Sequence, residues 1–466
     1  MKLQYYLFFV VYLSVLSSCD LLGRIDDIKP DYVLTDETVI SDAKTAEATL
    51  NGVYSSLRNI RIGWFRSNLN FLTGVQETAN ISGYEGFEEN DIKIDNKAVE
   101  GNYTAWYNVV NHATSFINNL NLNENVKGLA QARRKEMIGE AKFLRALSYL
   151  HLLRQFGEFC NLESKYGIVL YGEQPIRDNA AIARSSVKDS YKAINDDLED
   201  AITHAPEKSA HYKVCQFAAK ALKARVLLYM GDDRNAANLA QEVIDESPVN
   251  GYNLEQNFLN IFTNTFRSPE LIFGIYTTNP DEPYGSIWDY FKIAKTTTLI
   301  ATNLGVDMDK LYKNAFIDLD SEKSYIQNNK YPYREGVDIT QNGHFYIRLA
   351  EMYYIRAEAE ARLQQWGAAR EALKGIICLD RAGYTSGYVD NIPNTQLPEM
   401  ILKHKWMELC SEDNEELYDL IRYHIRDNFK IAPTYIATDA RLKLPIPKVA
   451  LAGNVLLLQN EEYIVK

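Results

Sequence analysis

Two separated stretches of the chain carry the same pattern, and that pattern limits what the chain can fold into. Ala218–Met230 has the apolar period of a helix, stops at Gly231-Asp232, and is followed by Asn235–Ile244 with small residues at Ala236, Ala237 and Ala240. Leu349–Leu363 repeats the arrangement, ending near Trp366-Gly367 and followed by Ala368–Ile377 with Ala369, Ala372 and Leu373. Small residues at a helix crossing let two backbones approach closely, and such a pair buries its apolar face only by stacking on a neighbour. Two pairs are too few for a stack. The run Ala132–Phe156, with Met137, Ala141, Leu144, Leu147, Leu150 and Leu153 before Gly157, is expected to join it. So is the run after Ser186, where Tyr191, Ile194, Leu198 and Ala201 share a stripe and Ser186 with Asp189 forms a relaxed capping box.

The helix pairs resemble tetratricopeptide repeats, although the full consensus is absent. The expected fold class is mostly α: a tetratricopeptide-like helical-repeat scaffold with long irregular loops and minor β structure. The irregular part is residues 60–110, 160–185, 250–347 and 380–396, rich in Gly, Asn, Tyr, Thr and Pro with little helical period. Long irregular stretches in a compact body are usually functional loops or small local sheets, so the ligand surface is expected there.

The N-terminus reads as a targeting segment. Lys2 supplies one positive charge, Leu7–Leu16 is apolar apart from Tyr12 and Ser14, and Ser17-Ser18 stand directly before Cys19. The apolar run falls short of the roughly 20 residues that span a bilayer, so residues 1–18 are expected to be a signal peptide. The small pair before Cys19 resembles a bacterial lipobox, which implies lipidation of Cys19 after cleavage; soluble secretion with a chance Cys19 is the alternative. Residues 19–36 read as a leash, and 37–466 as a single body. Cys160, Cys215, Cys378 and Cys410 lack C-x-x-C spacing and are expected to be buried free thiols.

Composition excludes several classes. With 50 Lys and Arg against 62 Asp and Glu, the net charge is −12 and no basic block stands out, so nucleic acid is not an expected partner. No H-E-x-x-H, G-x-S-x-G, G-x-G-x-x-G or P-loop string occurs. His404 and Glu408 form an i, i+4 pair without further metal ligands at useful spacing and read as a surface ion pair. Asp318–Glu322 begins like a calcium loop but places Lys323 at position six and Asn329 at position twelve, where Gly and Glu are needed. Asp196-Asp197 and Glu358 with Glu360 lie on helices and read as solvated faces or interhelix hydrogen bonds. The acidic run from Ser411 to Glu416 reads as a helix start or loop. No residue is nominated as a catalytic acid, a metal ligand or a cofactor ligand.

Several local strings occur together and in order. They are Trp106-Tyr107; Ala141-Lys142-Phe143-Leu144-Arg145-Ala146 to Phe156-Gly157; Arg184-Ser185-Ser186-Val187 to Asp197-Leu198; and Ala221-Leu222-Lys223-Ala224-Arg225-Val226 to Gly231-Asp232. Then follow Pro269-Glu270-Leu271-Ile272-Phe273, Arg348-Leu349-Ala350-Glu351, Asp419-Leu420-Ile421-Arg422, Leu444-Pro445-Ile446-Pro447 and Gln459-Asn460. In this order, behind a lipobox, the chain resembles the SusD/RagB group of surface lipoproteins from Bacteroidetes. One departure is the helix before Asp419, where Lys403–Asn414 replaces an Arg-rich, Glu-Gly-containing stretch. The resemblance implies a binder rather than an enzyme, with no cofactor, lipid-anchored at the outer membrane and surface-exposed. It also implies an oligosaccharide ligand, or a peptide in some members, and a SusC-like TonB-dependent transporter as partner.

A sugar ring has an apolar face and a rim of hydroxyls, so its binder needs flat aromatic platforms with polar groups nearby. The chain has 31 Tyr, 18 Phe and 5 Trp. Two irregular regions offer the combination: Trp64, Phe65, Arg66, Asn68 and Asn70 followed by Tyr84, Phe87, Glu88 and Asn90; and Tyr284, Trp288, Asp289 and Tyr290. Trp288 is the leading candidate. The competing reading makes Trp64 and Trp288 core anchors under long loops. Trp106, Trp366 and Trp406 sit in helical patterns and are expected in the core.

Overall fold

The computed structural model of the chain describes residues 39–60, 69, 72, 86–87, 91–171, 181–276, 292–294, 316–317, 325–328, 330, 343–409, 412–428 and 442–464. Cys19, the leader, the leash and Cys410 lie outside the described residues.

Helices α1 (Ala43–Arg58), α2 (Lys97–Leu122), α3 (Gln131–Phe156), α4 (Val187–His204), α5 (Gln216–Met230) and α6 (Asp233–Glu246) pack one against the next. After a short α7 (Phe258–Asn264) and strands come α8 (Leu349–Arg362) and α9 (Trp366–Ile377), and α8 packs on α6. The two look-alike pairs, α5–α6 and α8–α9, are therefore neighbours in space, and the small residues expected at the crossings, Ala236, Ala237, Ala240, Ala369 and Ala372, are all buried. Further on lie α10 (Ser386–Asp390), α11 (Leu397–Leu409), α12 (Glu415–Asp427) and α13 (Lys448–Gly453). The fold is the mostly helical, tetratricopeptide-like scaffold expected.

Local chemistry sets the helix ends. Asp42 and Thr45 make a reciprocal capping box at the start of α1, and Asn96 Oδ1 accepts from the N–H groups of Ala98 and Val99 to open α2. Ser186 Oγ accepts from Asp189 N at 3.0 Å, as the spacing predicts for α4. Helix α2 corrects the reading of 60–110 as irregular throughout, since residues from Lys97 onward bury Val99, Trp106, Val109, Val110, Ala113, Phe116, Ile117 and Leu120. Its polar insertions at Asn108, Asn111 and His112 obscure the period in the sequence. Trp106 and Trp406 are buried, whereas Trp366 is only partly so.

Helix α3 meets the end of α4 at Gly139, where an added Cβ would lie 2.7 Å from Ala205 N and 3.1 Å from Ala205 Cα. Helix propensity alone favours Gly139→Ala by about 1 kcal/mol. The obstacle here is backbone, so overpacking should win and the substitution should lower stability by about 1–3 kcal/mol. A raised thermal midpoint for Gly139→Ala would refute this account of the contact.

The β structure is small. Strand β1 (Leu271–Tyr276) pairs antiparallel with β5 (Gly343–Arg348), from Leu271 opposite Arg348 to Tyr276 opposite Gly343. Between them in sequence, β2 (Lys292–Ala294), β3 (Phe316–Ile317) and β4 (Tyr325–Asn328) form a second sheet in the order β2-β4-β3. The main apolar cluster runs through α1–α6 to β1 and β5, and a second joins α7, α8, α9 and α11. Among the described residues no helix is long and apolar enough to cross a membrane.

Candidate functional site

The sequence candidates Trp64, Arg66, Asn68, Tyr84, Tyr284, Trp288, Asp289 and Tyr290 lie outside the described residues, as does the Asp318–Glu322 segment. Phe87 is described and is fully buried in the main core, so its ring is a packing element rather than an open platform. What the structure fixes is where the two candidate segments leave the scaffold. The first follows the end of α1. The second leaves β1 at Tyr276 and returns at Gly343, its partner across the strand pair.

These two departure points touch. The Arg58 guanidinium lies 4.8 Å from the Tyr276 ring centroid, and Nη1 donates to Tyr276 Oη at 3.3 Å. Tyr276 meets Tyr212 edge-on at 5.2 Å, and Tyr212 meets Phe266 edge-on at 5.6 Å. All four residues are half-buried. Phe266 seats on bare backbone: a Cβ at Gly343 would come within 2.6 Å of its ring. The segment carrying Tyr212 is stitched in from both sides, because Gly274 N donates to His211 O at 2.9 Å and Val214 N donates to Tyr54 Oη at 2.9 Å.

Beneath this junction, Tyr54 donates to Glu140 Oε2 at 2.6 Å, and Arg133 donates to Glu140 Oε1 at 2.8 Å. Burial nevertheless raises the Glu140 pKa. Lys213 Nζ sits 3.8 Å from the Tyr54 ring centroid and donates to Asn51 Oδ1 at 2.6 Å. The junction thus combines half-open aromatic edges with hydrogen-bond donors, which suits a ligand having both an apolar face and polar rims. Arg58, Tyr212, Phe266 and Tyr276 were not among the sequence candidates. Their only sequence signal is position, since Arg58 and Tyr276 are the last residues of regular elements before irregular stretches.

Elsewhere the acidic residues are consumed by the scaffold. The His404–Glu408 pair read as surface is buried, and burial pushes the His404 pKa down to about 3. Its ring meets Tyr388 Oη at 3.3 Å, while Glu408 Oε1 accepts from Arg348 and Arg381, each at 3.0 Å. The acidic run leads into the start of α12 at Glu415, as a helix start would, and Glu412, Asp413, Asn414, Glu415 and Glu416 are all buried. Arg348 donates to Glu412 Oε2 at 2.6 Å and Glu270 Oε1 at 2.5 Å, and Arg154 donates to Glu415 Oε1 at 2.6 Å. Arg225 grips Glu351 with two bonds of 2.6 Å. Glu358 pairs with Arg422 and Arg362, and Asp197 takes two 2.7 Å bonds from Arg145 across α3 and α4. Asp196 is exposed beside Lys192. Among the described residues no group of His, Cys, Asp and Glu could hold a metal ion. Cys160, Cys215 and Cys378 are free, with only Cys215 fully buried, which corrects the expectation of burial for the other two.

A family model described as starch-binding and associating with the outer membrane matches residues 27–228, and a model of the SusD family matches residues 281–443. The chain belongs to the SusD/RagB family. SusD-like protein P2 of Formosa agariphila is 26% identical over 266 residues, 56% of this chain and 50% of that protein. The chain spans about half the length of the curated relatives it matches. A SusD superfamily protein from Bacteroides thetaiotaomicron has the same fold at TM-score 0.73 and 20% identity, covering 90% of this chain and 99% of that one. A SusD-like carbohydrate binding protein from Bacteroides vulgatus superposes at TM-score 0.66 and 21% identity, covering 82% and 84%. SusD-family proteins bind nutrients such as glycans at the outer membrane and are not enzymes.

Proposed function

We propose that this SusD/RagB protein is a cell-surface lipoprotein, anchored through Cys19, that binds oligosaccharides and hands them to a SusC-like TonB-dependent transporter without cleaving them. The observation that carries the reading is the contact of Arg58 with Tyr276. It roots both candidate segments, one with Trp64, Arg66, Asn68 and Tyr84 and the other with Tyr284, Trp288, Asp289 and Tyr290, at one place on the scaffold. The family match and the commitment of the described buried carboxylates to ion pairs agree with binding rather than hydrolysis.

Calorimetry against a panel of oligosaccharides tests the binding, with oligopeptides as the competing cargo. Trp288→Ala should weaken oligosaccharide binding by about 1 kcal/mol or more, with folding little changed, if its ring stacks on a sugar. Unchanged affinity would remove Trp288 from the site. Release of shorter products from labelled glycans would overturn the reading as a binder, and retention of peptides alone would redirect it to peptide uptake. Co-purification with a β-barrel importer tests the hand-over.

A further inference from the structure

The carboxylates around the junction of α1 and β1 are unevenly shared. Arg133 takes Glu47, Glu136 and Glu140. Arg58 and Lys213, close by, have no carboxylate within 4 Å among the described residues. Among the described residues Arg58 makes one hydrogen bond, to Tyr276 Oη, and its Nε is shielded from solvent with no acceptor. Lys213 has Asn51 Oδ1 and the face of Tyr54. Other half-buried arginines without a carboxylate among the described residues, Arg134, Arg184 and Arg370, donate to backbone carbonyls, whereas among the described residues Arg58 donates only to a phenol and Lys213 only to an amide oxygen.

The two cations belong to one closed circuit. Arg58 lies over Tyr276, Tyr276 abuts Tyr212, Tyr212 adjoins Lys213 in the chain, and Lys213 lies over Tyr54, one turn before Arg58 on α1. Burial lowers the Lys213 pKa, with the Glu140 and Glu47 charges acting against it and the Arg58 and Arg133 charges acting with it. A cation held in a partly desolvated place without a directly bonded opposite charge is costly, and an incoming anion offsets that cost. The flat guanidinium suits a carboxylate or a sulfate oxygen pair, and the ammonium supplies a second point charge. The surrounding phenol rings suit the apolar face of a sugar.

We infer that the Arg58–Tyr276–Tyr212–Lys213 junction is a subsite for an anionic sugar residue, bearing a carboxylate or a sulfate ester, within the oligosaccharide. This rests on the glycan-binding reading above and adds the charge of the cargo to it.

The full chain is titrated calorimetrically with four probes: hexagalacturonate, a sulfated galactan hexamer, a neutral galactan hexamer and an oligoglutamate peptide. Binding of either acidic glycan at least tenfold tighter than the neutral hexamer, weakening with added salt, supports the inference; which of the two binds tells carboxylate from sulfate. Arg58→Gln and Lys213→Gln, each checked for folding by circular dichroism, should each weaken acidic-glycan binding far more than neutral-glycan binding and so remove most of that preference. A preference that survives both substitutions overturns the subsite. Equal or better binding of the neutral hexamer overturns the subsite and leaves the glycan reading standing. Binding of oligoglutamate alone, or of none of the four, overturns the subsite, and only a wider neutral panel that also fails would take the glycan reading with it.

Discussion

Replacing Arg348 with Met is expected to lower the unfolding free energy by about 3–5 kcal/mol, measured by urea titration. Arg348 is fully enclosed and faces three carboxylates, Glu270, Glu408 and Glu412, while its Nη2 also donates to Glu408 O at 3.0 Å. Methionine fills much of the volume but leaves the acids short of a cation in a dry interior. Arg381, which also bonds Glu270 and Glu408, and Lys330, which bonds Glu412, cannot both take its place. Arg348→Lys restores the charge without the planar fork and should recover only part of the loss. A loss below about 1 kcal/mol for Arg348→Met would mean that the carboxylates rearrange freely, contrary to the packing described.

The same network should make the protein sensitive to acid. Against the burial that would raise it, Arg225 and Arg154 hold the Glu415 carboxyl down at about 2, from an ordinary 4.5. A carboxylate depressed in the folded state contributes stability that is complete above the unfolded pKa, near 4.5, and is lost as pH falls through the folded value. A depression of this size corresponds to roughly 3 kcal/mol, withdrawn between about pH 4.5 and 2. Glu408, lowered by Arg381 and Arg348 despite burial, acts in the same sense. Glu140 and Asp197, raised by burial, work in the opposite sense and soften the slope. Stability measured from pH 7 to 2 should therefore fall steeply at the acid end. Glu415→Gln should be less stable at pH 7, because Arg154 keeps only Asp413 as an acidic partner and Arg225 loses one of its acids, yet show a shallower acid limb. An unchanged slope in that variant would place the acid sensitivity elsewhere.

The scaffold was largely legible because its signals are local. Apolar period and small residues located α3, α5, α6, α8 and α9 to within a few residues, and Ser186 marked the start of α4. The buried ionic network was not legible in the same way. Ser411–Glu416 reads as a helix start or loop, and the sequence does not show that Arg154, Arg225 and Arg348, from three distant elements, converge on it. A retrospective signal exists: Arg225 stands within Ala221–Val226 and Arg154 within an apolar helix face, positions a cation occupies only when an acid meets it. The junction of Arg58, Tyr212, Phe266 and Tyr276 was also missed, since it is assembled by contacts between α1, β1 and the segment before α5 and has no period of its own. Phe87 erred the other way, as an aromatic in a Gly- and Asn-rich stretch that the core takes in.

The pairing of Tyr276 with Gly343 has an evolutionary consequence. Because the strand pair already brings the ends of residues 277–342 together, lengthening that stretch adds only about 0.6 kcal/mol of closure entropy per doubling. Among the described residues, the buried ionic network holds one residue of that stretch, Lys330 against Glu408 and Glu412. Such a stretch can be rewritten by insertion or recombination, provided the position of Lys330 is kept, while one inherited chassis continues to fold beneath it.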